Sequence, residues 1–191
     1  MRTKIENILQ NSILLHERIA QDKHLVEMLH QVVRQSVDTL RSGGKILLCG
    51  NGGSASDAQH IAAELSGRFN RDRPALDAVA LTANTSALTA IANDYGYEDV
   101  FARQVEAHGR PGDLLLGIST SGNSPNVLKA ILKAKELGLN TVALTGEEGG
   151  KLKDVSHFWM AVPSKDTPRI QEGHILIGHI LCAMIEDSFF G

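Results

Sequence analysis

Cysteine is scarce in this chain, with Cys49 and Cys182 far apart and in no CxxC or metal-type spacing. A disulfide framework is therefore excluded, and both thiols are expected as small core residues. Aromatic residues make up only 4% of the sequence, too few for platforms on which single-stranded nucleic acid stacks its bases. The formal charge of −3 offers no basic footprint for nucleic acid. The longest apolar runs fall short of a membrane span, and the opening MRTKIENILQ has no apolar signal region behind its basic residues. These absences predict a soluble, cytoplasmic protein with no nucleic-acid or membrane partner.

What is present is an ordinary globular composition, 42% hydrophobic over 191 residues, the size of one substantial domain. Ile5, Ile8, Leu9, Ser12, Leu15 and Ile19 recur at helical spacing, as do Leu25, Met28, Leu29, Val32, Val33, Val37 and Leu40. Gly43 and Gly44 stop the second pattern, so residues 1–42 are expected to form a helical hairpin. Over 45–163, short apolar runs alternate with helical patterns: KILLCG, ALDAVALT, DLLLGIS, NTVALT and HFWMAVP. Runs that are continuously apolar fit strands buried on both faces, giving a doubly wound α/β core with a five-stranded parallel sheet. A last helix is expected over 167–188.

Two strand-to-helix junctions are rich in small polar residues, CGNGGSASDAQH at 49–60 and GISTSGNSPN at 117–126. In open parallel sheets, ligands bind beyond the carboxyl ends of the strands, where such junctions lie. In the second loop Ser124 and Pro125 read as N-cap and first helical residue. Ser119, Thr120, Ser121, Gly122 and Asn123 then sit where free N–H groups attract an anion, and a phosphate is the natural guest. Hydrogen bonds to a charged group contribute about 1.5–3 kcal/mol each, against roughly 0.3–1 kcal/mol for a helix dipole, so the loop's donors dominate. Neither a Walker pattern nor GxGxxG is present, so no nucleotide is implied. The first loop, Asn51-Gly52-Gly53-Ser54, opens a helix on which His60 and Glu64 are four residues apart and share a face. His174 and His179 are separated by about 140° around a helix and do not share one.

CGNGGSASDAQHIAAELSGRF, AIANDYGY, GISTSGNSPNV and RIQEGHILIGHIL, in this order, resemble the sugar isomerase (SIS) domain family and, within it, the phosphoheptose isomerases. The resemblance covers nearly the whole chain. It implies conversion of the ketose sedoheptulose 7-phosphate to D-glycero-D-manno-heptose 7-phosphate, the first step toward nucleotide-activated heptoses of bacterial surface polysaccharide. It also implies a homotetramer and a zinc ion. Carried over by position, Ser119, Thr120, Ser121 and Ser124 hold the phosphate, and Asn51, Gly52, Gly53, Asn93 and Asp94 contact the sugar. Glu64 and His179 are the catalytic pair, and His60, Glu64, Gln171 and His179 match metal positions, Glu64 and Gln171 also facing substrate. Gln171 and His179 lie about 80° apart around a helix and about 12 Å along it, so the helix alone does not bring them to one ion. A relative that binds the bacterial replication initiator shares the fold without the catalytic Glu and His. The presence of Glu64 and His179 favours the enzyme.

Overall fold

The computed structural model describes residues 1–191. Helices α1 (Arg2–Gln21) and α2 (Lys23–Arg41) are joined through Asp22, whose carboxylate caps α2 by accepting from the Leu25 amide at 3.0 Å. Five strands follow: β1 (Ile46–Gly50), β2 (Ala78–Ala80), β3 (Leu114–Ser119), β4 (Asn140–Gly146) and β5 (Phe158–Val162). They form one parallel sheet in the order β2-β1-β3-β4-β5, with Ile46 opposite Leu114 and Leu114 opposite Asn140. The crossovers are α3 (Gly53–Ser66), α4 (Thr85–Tyr95), α5 (Val100–His108), α6 (Pro125–Glu136) and α7 (Gly150–Val155), and α8 (Thr167–Phe190) closes the chain.

Burial explains the unbroken apolar runs. Every residue of β1 and β3 is buried, because each strand has a layer of helices on both faces. On one side α1, α2, α3 and α8 cover Ile46, Leu48, Leu114, Leu116 and Val142. On the other, α5 and α6 cover Leu47, Cys49, Leu115 and Ala143. Burying such a side chain stabilises the fold by about 1.5–3 kcal/mol. Both cysteines are buried and unpaired. The stretch expected as a strand over 75–82 is reduced to three residues, Ala78–Ala80, which pair with β1 alone at the edge of the sheet.

The long helix α8 is apolar and long enough to cross a bilayer by composition alone. Here Ile170, Ile177, Leu181 and Ile185 are instead buried in the core beneath the sheet. A Cβ on Gly178 would collide with the Ile61 side chain, so the glycine lets α8 and α3 pack closely. His174 on the same helix is fully buried, and neither ring nitrogen has a hydrogen-bond partner. Burial pulls its pKa down from 6.5 to about 4, so the ring is neutral at pH 7. The folded state therefore binds fewer protons here than the unfolded chain between about 4 and 6.5. Stability rises with pH across that window and is lost on acidification, by at most about 3 kcal/mol. Replacing His174→Leu should shrink the fall in Tm between pH 7 and pH 4.5; an unchanged fall would show that this ring does not drive it.

Candidate active site

Strands β1 and β3 are neighbours whose crossovers leave in opposite directions along the sheet, the switch point at which doubly wound folds bind ligands. The two polar loops follow these strands and are joined side by side. Asn51 and Asn126 exchange amide hydrogen bonds, Nδ2 to Oδ1 in each direction at 2.8 Å. The Tyr97 hydroxyl donates to Asn51 Oδ1 at 3.1 Å. Asn126 is buried and also accepts from the Val127 amide at 3.0 Å, so Asn51 is held by a fixed partner.

In the second loop, Ser124 occupies the N-cap position of α6, as its place before Pro125 predicts, but its side chain makes no capping bond. Its hydroxyl lies 2.8 Å from that of Ser119. Gly122 takes φ 66°, and a Cβ there would strike the Gly149 carbonyl. That turn leaves the amides of Thr120, Ser121 and Ser124 without an acceptor in the chain. Three amides and the hydroxyls of Ser119, Thr120, Ser121 and Ser124 thus converge at a helix N-terminus, an anion-binding arrangement. Beside it lies a cavity of about 330 Å³ lined by Thr120, Ser121, Glu147, Lys165, Thr167 and Ile170.

In the first loop Gly52 has φ 55° and Gly53 begins α3. The Gln171 amide lies against Gly53 so closely that any Cβ would displace it. One turn and more along α3, His60 Nε2 is 3.1 Å from Glu64 Oε1. The rings of His60 and His179 meet edge-on with centroids 5.0 Å apart, and Phe69 packs on the His179 ring at 5.6 Å. One donor atom from each of His60, Glu64 and His179 lies within 4.8 Å of the others. Two imidazoles and a carboxylate suit a divalent ion such as zinc in a site that keeps an open position. Gln171, two turns earlier on α8, is placed with the first loop. Asn93 and Asp94 are exposed on the last turn of α4, where Asn93 Nδ2 donates to Asp94 Oδ1 at 2.8 Å.

Three residues of this region carry no motif signal that singles them out. Tyr97 and Asn126 both hydrogen-bond the Asn51 side chain. Asp57, one turn before His60, has one carboxylate oxygen buried without a partner. Burial raises its pKa to about 6, against the opposing pull of His60.

A family model described as the SIS domain matches residues 9–146. The chain belongs to the SIS domain family. The phosphoheptose isomerase of Helicobacter pylori strain P12 is 58% identical over 187 residues, covering 97% of both chains. Among solved structures, phosphoheptose isomerase from Neisseria gonorrhoeae aligns with TM-score 0.91 at 46% identity, over 97% of this chain and 98% of its own. The enzyme from Francisella tularensis aligns with TM-score 0.93 at 39% identity, over 97% of each chain. The sheet order and flanking helices described above are thus those of the SIS fold.

Asn126→Leu keeps the branching at Cγ but removes both amide bonds to Asn51. We expect kcat/KM on a sugar phosphate to fall about 10- to 100-fold, the equivalent of roughly 1.5–3 kcal/mol. A variant that folds with unchanged kcat/KM would show that Asn51 needs no such anchor.

Proposed function

We propose that the protein is the isomerase that interconverts sedoheptulose 7-phosphate and D-glycero-D-manno-heptose 7-phosphate, acting through an enediol. The observation that supports this reading is the clustering of a carboxylate and two imidazoles, His60, Glu64 and His179, in a chain whose strand β3 ends in a donor-rich loop. The phosphate binds Ser119, Thr120, Ser121 and Ser124, which fixes one end of the substrate. Asn51, Gly52, Gly53, Asn93, Asp94 and Gln171 contact the sugar hydroxyls.

Isomerisation moves one proton from C1 to C2 and one from O1 to O2. Glu64 takes the C1 proton of the ketose, electrons flow from the C1–H bond into C1–C2, and the C2 oxygen gains a proton to give the enediol. Collapse of that enediol returns a proton to C2 and leaves the aldehyde at C1. His179 relays the proton between the two oxygens. Positioned acid–base groups of this kind contribute about 10²–10⁴-fold each. Glu64 is half-buried, and only its Oε1 is engaged, by His60, which leaves the other oxygen free of hydrogen bonds in the chain. His60, Glu64 and His179 are the residues that would hold zinc, and Gln171, the fourth position of the family match, lies two turns earlier on α8 against Gly53. When bound, the ion supplies Lewis-acid polarisation of the substrate carbonyl. A carboxylate tied to a metal would be a weaker base, and Glu64 keeps one oxygen free of hydrogen bonds in the chain to serve as the base.

The product supplies heptose for nucleotide activation and surface polysaccharide, in the cytoplasm. A homotetramer is supported by α1, whose Ile5, Ile8, Leu9 and Ile13 are exposed on a single chain and form an apolar stripe that needs covering. Sedimentation equilibrium should give four chain masses; a monomer would remove the shared-interface part of the proposal.

The reaction is tested in D₂O with sedoheptulose 7-phosphate, followed by NMR. Aldose carrying deuterium at C2 is expected, with turnover by Glu64→Gln at least 10²-fold lower. Appreciable turnover by that folded variant would remove Glu64 as the base, and no aldose from the zinc-supplied parent would remove the activity.

A further inference from the structure

We infer that Glu186 and Arg73, which touch no substrate, are positioning residues that set the geometry of Glu64 and His179. The inference rests on the isomerase reading of that pair. Glu186 stands seven residues after His179 on α8, which brings it back to the same face about two turns further along. Both Glu186 and Arg73 side chains are 1% exposed, and Arg73 Nε donates to Glu186 Oε2 at 2.8 Å. The same carboxylate accepts from the amides of Phe69 at 3.2 Å, Asn70 at 2.9 Å and Arg71 at 3.0 Å. One buried charge therefore fastens the whole loop after α3 to α8. Burial alone would raise the Glu186 pKa, but Arg73 and the three amides outweigh it and hold the carboxyl below the usual range, so it stays ionised.

The loop's two ends reach the catalytic pair. Phe69, at the front, lies on the His179 ring. Arg73, at the back, donates Nη2 to the Glu64 carbonyl and Nη1 to the Leu65 carbonyl, each at 2.8 Å. It thereby satisfies carbonyls at the end of α3 that have no intrahelical donor. The backbone that carries Glu64 and the ring that confines His179 are thus tied to a single carboxylate. Displacing such supporting groups typically lowers metal affinity or activity about 10- to 100-fold.

The test compares Glu186→Gln, Arg73→Lys and Phe69→Leu with the parent, and uses Asp187→Asn as a control. Asp187 meets Arg71 of the same loop in an exposed ion pair and reaches neither catalytic group. Two readouts are taken on the metal-free protein reloaded with Co²⁺: the Kd for Co²⁺ from its visible spectrum, and kcat and KM for sedoheptulose 7-phosphate. For the three strut variants we expect kcat to fall at least tenfold with KM within twofold, and Co²⁺ affinity to fall at least tenfold. Asp187→Asn should match the parent in both. Folded strut variants with parental kcat and Co²⁺ affinity would overturn the inference. If the buried-pair variants do not fold, Phe69→Leu decides alone, since it leaves the ion pair intact: parental values there overturn the inference and the expected losses uphold it. A parent that is inactive on the sugar phosphate defeats the isomerase reading, while the Co²⁺ comparison still judges the strut.

Discussion

Parallel pairing of β1 with β3 is the constraint on which the rest of the molecule depends. Because the chain reverses its direction of winding between these two strands, the loops that leave them diverge to opposite faces and open a crevice at the sheet edge. Each loop then starts a helix, α3 on one face and α6 on the other. The crevice consequently has two helix N-termini at its rim, and the Asn51–Asn126 exchange closes the gap between them. An anion and a sugar can be gripped there without any large side chain.

Chemistry is delivered from a different direction. Helix α8 runs beneath the sheet, and its face toward α3 carries Gln171 at the first loop and His179 beside His60 and Glu64. Glycine at 178 permits this approach, since a larger residue would push α8 away from Ile61 and draw His179 off His60 and Glu64. The buried Glu186–Arg73 pair lies further along the same interface. In the proposed reaction, binding draws on strand ends and proton transfer on a helix–helix contact, with the α3–α8 core lying between them.

Much of this was legible in the sequence because the relevant signals are local. Unbroken apolar runs marked strands covered on both faces, and the small-residue loops fall at the carboxyl ends of β1 and β3. Spacing of four placed His60 and Glu64 on one face, and the structure sets them 3.1 Å apart. What escaped is non-local. Glu186 sits in a helix pattern that gives no hint of burial, and its partners lie more than a hundred residues earlier. Ser124 looked like a capping hydroxyl because of Pro125, yet its neighbour across the loop, Ser119, takes that hydroxyl instead. The edge position of β2 and its three-residue length are likewise not disclosed by ALDAVALT.

The central claim is that phosphate and reacting carbons lie at opposite ends of one site, held by the loop after β3 and by the α3–α8 cluster. A crystal structure of the Glu64→Gln protein soaked with sedoheptulose 7-phosphate tests this most directly. The account predicts the phosphate within hydrogen-bonding distance of Ser119, Thr120, Ser121 and Ser124, with C1 and C2 beside residue 64 and His179. A phosphate bound elsewhere, or a sugar whose C1 and C2 lie away from that cluster, would contradict it.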